Sequence, residues 1–153
     1  MIQNQQENKA KTKYRWIYRG LYILVILLLV IVLVIPGALR LLYRADAQVA
    51  LGHAKSVRLA LQMTGKESYG KNGTFCDASH EGGVTDDIWK DVMNLSKVPG
   101  DFWVLQIAED GYTVKRFVYK ENDFTVWYQD EPKSYTVYHD DTMIDPGNLT
   151  GEE

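Results

Sequence analysis

Leu21 to Ile35 read LYILVILLLVIVLVI, fifteen residues without a charge whose one polar side-chain atom is the Tyr22 hydroxyl. At about −0.3 to −0.6 kcal/mol per central Leu, Ile or Val, transfer of such a run into lipid is favoured by several kcal/mol. A helix that crosses the hydrocarbon core needs about 20 mainly apolar residues. Continuing through Pro36, Gly37, Ala38 and Leu39 reaches that length, and Arg40 is placed to extend its head to the interface. A transmembrane helix is predicted over 21–39.

The residues before it form a basic leader over 1–20. Lys9, Lys11, Lys13, Arg15 and Arg19 oppose the single acidic Glu7, a charge of +4, which favours a cytoplasmic N-terminus and an extracytoplasmic remainder. The Gln- and Asn-rich residues from Met1 to about Glu7 read as a disordered spacer. Ala45-Asp46-Ala47 has the small-x-small form of a signal-peptidase site. It lies too far beyond Ile35, past Arg40 and Arg44, so the apolar segment reads as a retained anchor in the cell membrane.

Beyond the span there is length for one small domain. The whole chain has a net charge of −3, which leaves −7 outside the leader and gives nucleic-acid binding no electrostatic support. Basic partners or cations suit that acidic part better. Cys76 is the only cysteine, so an intrachain disulfide is impossible. It reads as a buried or tolerated thiol, or in an oxidising compartment as half of a pair with another chain.

From residue 40 to 64 helix formers continue without proline, and Tyr43, Ala47, Ala50, Ala54, Val57 and Leu61 recur at steps of four and three. This predicts an amphipathic helix continuing from the membrane, polar along Arg44, Gln48, Lys55 and Gln62. Its small side chains suit close packing on a sheet or against neighbouring copies of the same helix; an ordinary core helix gives the same pattern. Residues 65–145 read as an extracytoplasmic domain that opens with a loop containing Gly65, Gly70, Gly73, Gly82 and Gly83. A short helix follows, with Thr85 as cap, Asp86 and Asp87 in its first turn, and Ile88, Val92 and Leu95 as its apolar side. Four segments rich in Val, Thr, Tyr, Phe and Trp then predict an antiparallel meander over 102–108, 112–119, 124–129 and 134–139. Residues 146–153 read as an acidic tail. The fold class is therefore α+β, a long transmembrane and amphipathic helix packed on a four-stranded antiparallel sheet.

No enzyme constellation is visible, and no cofactor is expected. His53, His80 and His139 are scattered, and no Ser or Cys stands in a nucleophile elbow. Cys76 and His80 have a spacing compatible with two metal ligands but lack a third and fourth. Asp140, Asp141 and Asp145 are calcium candidates, set against the plain reading of a solvated acidic end. Asn72-Gly73-Thr74, Asn94-Leu95-Ser96 and Asn148-Leu149-Thr150 fit the glycosylation pattern, which matters only for a luminal domain in a eukaryotic host. The aromatic excess, Trp103, Trp127, Tyr128, Tyr135 and Tyr138 included, reads as cross-strand packing, with a ligand surface as the alternative.

A basic leader ending in Gly20, an apolar helix from Leu21, Pro36 near its outer end, the run Tyr43-Arg44-Ala45-Asp46-Ala47-Gln48-Val49, a glycine loop with Asn72-Gly73 and an antiparallel sheet resemble the type IV pilins and pseudopilins. The resemblance implies a prepilin peptidase cut between Gly20 and Leu21. It also implies a first helix that is both membrane anchor and filament spine. The chain departs from the family at Val25, where pilins carry a glutamate that neutralises a neighbour's N-terminal amine; it also lacks the family's Phe at Leu21 and a second cysteine. Two functions are expected: a structural or minor subunit of a type IV pilus or secretion pseudopilus, with copies of itself or other pilin-like subunits as partners, or a membrane-tethered domain that binds an extracytoplasmic partner without polymerising.

Overall fold

The computed structural model describes residues 2–144; Asp145, the tail 146–153 and the Asn148–Thr150 motif lie outside the described residues. The chain divides into two compact units, Met1–Leu42 and Tyr43–Glu153.

The first unit is helix. Helix α1 is assigned over Ile2–Lys71 and contains Pro36, so the Gln- and Asn-rich start of the leader, expected to be disordered, is helical from Ile2. From Leu21 to Ile35 every side chain is between 46% and 69% exposed, and no other element of this unit covers them. α1 is long and apolar enough to cross a membrane by length and composition. Pro36 removes one backbone donor from the helix, a defect that membrane helices tolerate.

The second unit has an α+β layout. It contains α1 from Tyr43 onward, α2 (Asp86–Ser96) and a sheet of β1 (Asp101–Ile107), β2 (Val114–Glu121), β3 (Phe124–Gln129), β4 (Ser134–His139) and β5 (Thr142–Ile144). Neighbouring strands are antiparallel, in the order β1-β2-β3-β4-β5. Two of the connections are two-residue turns, Asn122-Asp123 and Asp140-Asp141, in which Asn122 and Asp140 adopt φ near 50°, a conformation that Asn and Asp accept more readily than other side chains. In register, Phe102, Tyr119, Val126, Val137 and Ile144 form one inward row, and Val104, Phe117, Tyr128 and Tyr135 the next. These rows share one buried cluster with Ala47, Ala50, Ala54, Val57 and Leu61 of α1 and with Ile88 and Val92 of α2.

Five expectations need correction. α1 runs to Lys71 instead of ending at Thr64, and Gly65 and Gly70 lie within it. Helical glycine costs about 1 kcal/mol relative to alanine, but a Cβ on Gly65 would stand 2.6 Å from the Tyr112 carbonyl oxygen. The close approach of the β1–β2 connection selects glycine there and continues the helix past it. The sheet has five strands, since Thr142–Ile144 pairs with β4 where an acidic end was expected. Tyr43 is 40% exposed and packs its ring on His139 at 4.6 Å, so it stands at the margin of the stripe. Leu95 is 51% exposed, and Thr85 occupies the N-cap of α2 without a side-chain capping bond.

Gly100, before β1, is similarly constrained: a Cβ there would lie 2.2 Å from the Lys120 carbonyl oxygen. The fully buried Ala54 leaves no room for a larger side chain, whereas Ser56, two residues on and on the opposite side of the helix, is exposed. Ala54→Leu should therefore lower unfolding stability by about 1–3 kcal/mol. Ser56→Leu should change it by less than about 0.5 kcal/mol. Denaturant unfolding of both variants checks the pair, and equal effects would contradict the packing.

Candidate functional site

The expected stripe of α1 is buried in the molecule's own core. Ala47, Ala54 and Val57 are fully buried and Ala50 and Leu61 nearly so, joined by Leu51, Ala60, Thr64 and Ser68. It is therefore not available to neighbouring helices. A second series, which the sequence reading missed, lies on the other side of α1. Val49, Gly52, Ser56, Leu59 and Met63 are exposed and recur at steps of three, four, three and four residues. Val49, Leu59 and Met63 are each more than half exposed. Alternating steps of three and four average 3.5 residues, the repeat of a helix–helix seam. Gly52 and Ser56 gave little hydrophobic signal, which hid the series.

A polar clamp fixes α1 to the sheet. His53 Nδ1 lies 2.6 Å from Glu121 Oε2, the Tyr119 hydroxyl donates to the same oxygen at 2.9 Å, and Gly100 N–H donates to Tyr119 Oη at 3.2 Å. Burial, reinforced by the Glu121 carboxylate, pushes the Tyr119 phenol above the ordinary range, so it stays a donor. At the other end of the sheet Arg58 lies 4.9 Å over the Tyr128 ring, and Lys55 lies 5.8 Å over Tyr135. Tyr128 donates to Asp130 at 2.9 Å, and its own pKa is pushed up to about 12, chiefly by burial. Lys115 bridges Asp130 at 2.8 Å and Glu131 at 2.7 Å; Lys115 and then Tyr128 hold the Asp130 carboxyl below the usual carboxylate range.

The outward side of the sheet carries three rows. Trp103, Val118, Trp127 and Thr136 align across four strands, flanked by Gln106, Arg116, Gln129 and Ser134 on one side and by Asp101, Lys120, Thr125, Tyr138 and Met143 on the other. Trp127 is 41% exposed, while Tyr128 and Tyr135 face inward and stack at 5.0 Å. The aromatic residues therefore divide between core packing and an open face.

Gly20 and Leu21 lie within α1 and are exposed. Asp140 and Asp141 form the β4–β5 turn, and Asp145 lies outside the described residues. Among the described residues no group of three or more His, Cys, Asp or Glu side chains could hold a metal. Cys76 and His80 engage different partners. The thiol meets the Gly111 carbonyl at 3.3 Å and is pushed up by burial, while His80 lies 3.6 Å from Asp86 and packs on Trp89. Among the described residues, grooves of about 470 Å³ and 330 Å³ flank the helix, one lined by Gln62, Gly65, Lys66, Tyr69 and Tyr112, the other by Tyr43, Asp46, Glu121, Asp123 and His139.

Comparison with protein-family models, with characterised proteins and with solved structures found no match for this chain.

Two outcomes follow from the polar contacts. Glu121→Leu strands the His53 and Tyr119 polar atoms and should cost about 1–3 kcal/mol in thermal or denaturant unfolding; an unchanged midpoint would show that the clamp carries no stability. Asp130 has a folded pKa below its unfolded value. Its contribution is complete above pH about 4 and is lost as pH falls through the depressed folded pKa. The stability gap between wild type and Asp130→Asn should therefore shrink between pH 7 and pH 3, as read from urea midpoints at both.

Proposed function

We propose that this chain is a pilin-like single-pass membrane protein that works by assembly, as a structural or minor subunit of a type IV pilus or secretion pseudopilus. Leu21 to Leu39 would be its bilayer span, the leader would be cytoplasmic, and the β-rich domain would be extracytoplasmic. The observation that carries the reading is the exposed series Val49, Gly52, Ser56, Leu59 and Met63. A helix whose alanine stripe is already occupied by its own sheet still offers a second apolar stripe at seam spacing. Gly52 and Ser56 leave room for another helix to approach. Val25, in place of the family's glutamate, leaves a neighbour's N-terminal amine without its partner and weighs toward the alternative reading.

The alternative, a tethered binding domain that does not polymerise, draws on the open Trp103–Val118–Trp127 row. The two readings differ at Gly20 and at the seam. Coexpression with a prepilin peptidase should yield a mature N-terminus at Leu21 by mass spectrometry. Leu59→Glu with Met63→Glu should lower recovery in sheared or sedimented assemblies by about tenfold or more, with the soluble-domain circular dichroism unchanged. An intact leader and assembly-independent behaviour of the double variant would reject the pilin-like reading and leave the tethered domain.

A further inference from the structure

The groove of about 470 Å³ that contains Gly65 is used by neither reading. Its volume falls within the range of small-ligand sites, about 300–1,000 Å³. One wall comes from α1, where Gln62, Lys66 and Tyr69 share a side of the helix; the other comes from Asp110 and Tyr112 of the β1–β2 connection and from Val114 at the start of β2. Gly65 also lines the groove and puts no side chain into it.

The wall opposite the helix is held in place. Tyr112 donates its hydroxyl to the Gly73 carbonyl at 2.9 Å, packs on Phe75 and stands edge-to-face with Tyr69 at 5.4 Å. Tyr69 is 67% exposed, so the corner of two rings still has apolar surface to offer. Asp110 Oδ1 accepts from the N–H of Tyr112 at 2.9 Å and of Thr113 at 2.8 Å, and Oδ2 accepts from the Thr113 hydroxyl. These bonds, the Thr113 hydroxyl foremost, hold the carboxyl below the usual carboxylate range and keep it ionised. A charge and a ring fixed before binding lower the cost of ordering a ligand.

The two charges of the groove do not satisfy each other. Lys66 enters no ion pair among the described residues; the adjacent Glu67 is taken by Lys71. Lys115 acts on Asp110 only from a distance, because its ammonium bridges Asp130 and Glu131. A ligand with an anion alone would gain Lys66 and face Asp110, and one with a cation alone would gain Asp110 and face Lys66. Charge complementarity therefore selects a ligand that carries both, and the two rings select an aromatic group beside them. A residue inside a protein segment has neither α-charge and a chain terminus has only one. A free amino acid has both.

We propose that this groove binds a free α-amino acid with an aromatic side chain, its carboxylate on Lys66, its ammonium on Asp110 and its ring against Tyr69 and Tyr112. The site shares no residue with the exposed series of α1, so it goes beyond the assembly reading and does not rest on it.

Isothermal titration of the full-length chain in detergent with L-phenylalanine tests the site, and saturable heat is expected. Loss of one hydrogen-bonded charge should weaken binding by about tenfold or more, both for 3-phenylpropanoate, which lacks the ammonium, and for 2-phenylethylamine, which lacks the carboxylate. Acetyl-Gly-Phe-Gly-amide presents the ring on a neutral backbone and should bind no better than these. Lys66→Met should weaken L-phenylalanine by a similar factor without weakening 2-phenylethylamine. Asp110→Asn keeps a carbonyl for the two N–H donors and should weaken L-phenylalanine without weakening 3-phenylpropanoate. No saturable heat at millimolar L-phenylalanine, a one-charge analogue that binds as tightly, or variants that leave the affinity unchanged would overturn the assignment. Equal binding of the neutral peptide would put a protein segment in the groove and overturn it too. The titration needs no assembly, so its failure and that of the pilin-like reading are separate results.

Discussion

The architecture depends on how closely one helix can lie on one sheet. Ala47, Ala50 and Ala54 put no more than a methyl group between the α1 backbone and the inner rows of the meander, and Val57 and Leu61 continue the same buried stripe. Apolar burial contributes roughly 25 cal/mol per Å², and it is gained here mainly by Phe117, Tyr119, Val126, Tyr128 and Val137, whose large side chains are covered because the alanines are small. Enlarging the helix side would lift it off all of these residues together. Buried methyls and buried rings are therefore two halves of one constraint.

Polar groups then fix where along its length the helix sits. Glu121 accepts from both His53 and Tyr119, a pairing that a helix slipped by one turn could not make. Toward the other end, Arg58 and Lys55 extend over Tyr128 and Tyr135, so the positive side chains flanking the alanine stripe contact the ring faces. Once this side of α1 is committed, what remains for other molecules is the reverse side, the open side of the sheet and the groove beside Gly65. The first unit has a different dependence: its run of exposed apolar side chains from Leu21 to Ile35 is the feature from which a bilayer role is proposed.

Much of this was legible in the sequence because strong periodicity survives without an alignment. The alanine stripe, the strand segments and the acidic first turn of α2 all follow from spacing and propensity. The misreadings have local causes. Gly65 and Gly70 signal a loop by propensity, but the packing of Tyr112 on Gly65 overrides it. Three-residue β5 is too short to show alternation, and its turn is acidic. Leu95 falls on the apolar side by spacing, yet α2 buries only Ile88 and Val92, a rotation that depends on tertiary packing. The outer rows of the sheet needed the register, since Trp103 and Trp127 are distant in sequence and become neighbours of Val118 only through pairing.

The central claim is that one side of α1 beyond Tyr43 is sealed by its own sheet while the opposite side is open. Maleimide labelling of single-cysteine chains in a Cys76→Ser background tests it directly. Ser56→Cys should react at the rate of a free thiol, and Ala54→Cys should react only as fast as the domain unfolds. Comparable rapid labelling at both positions in the folded protein would contradict the packing on which the rest of this account stands.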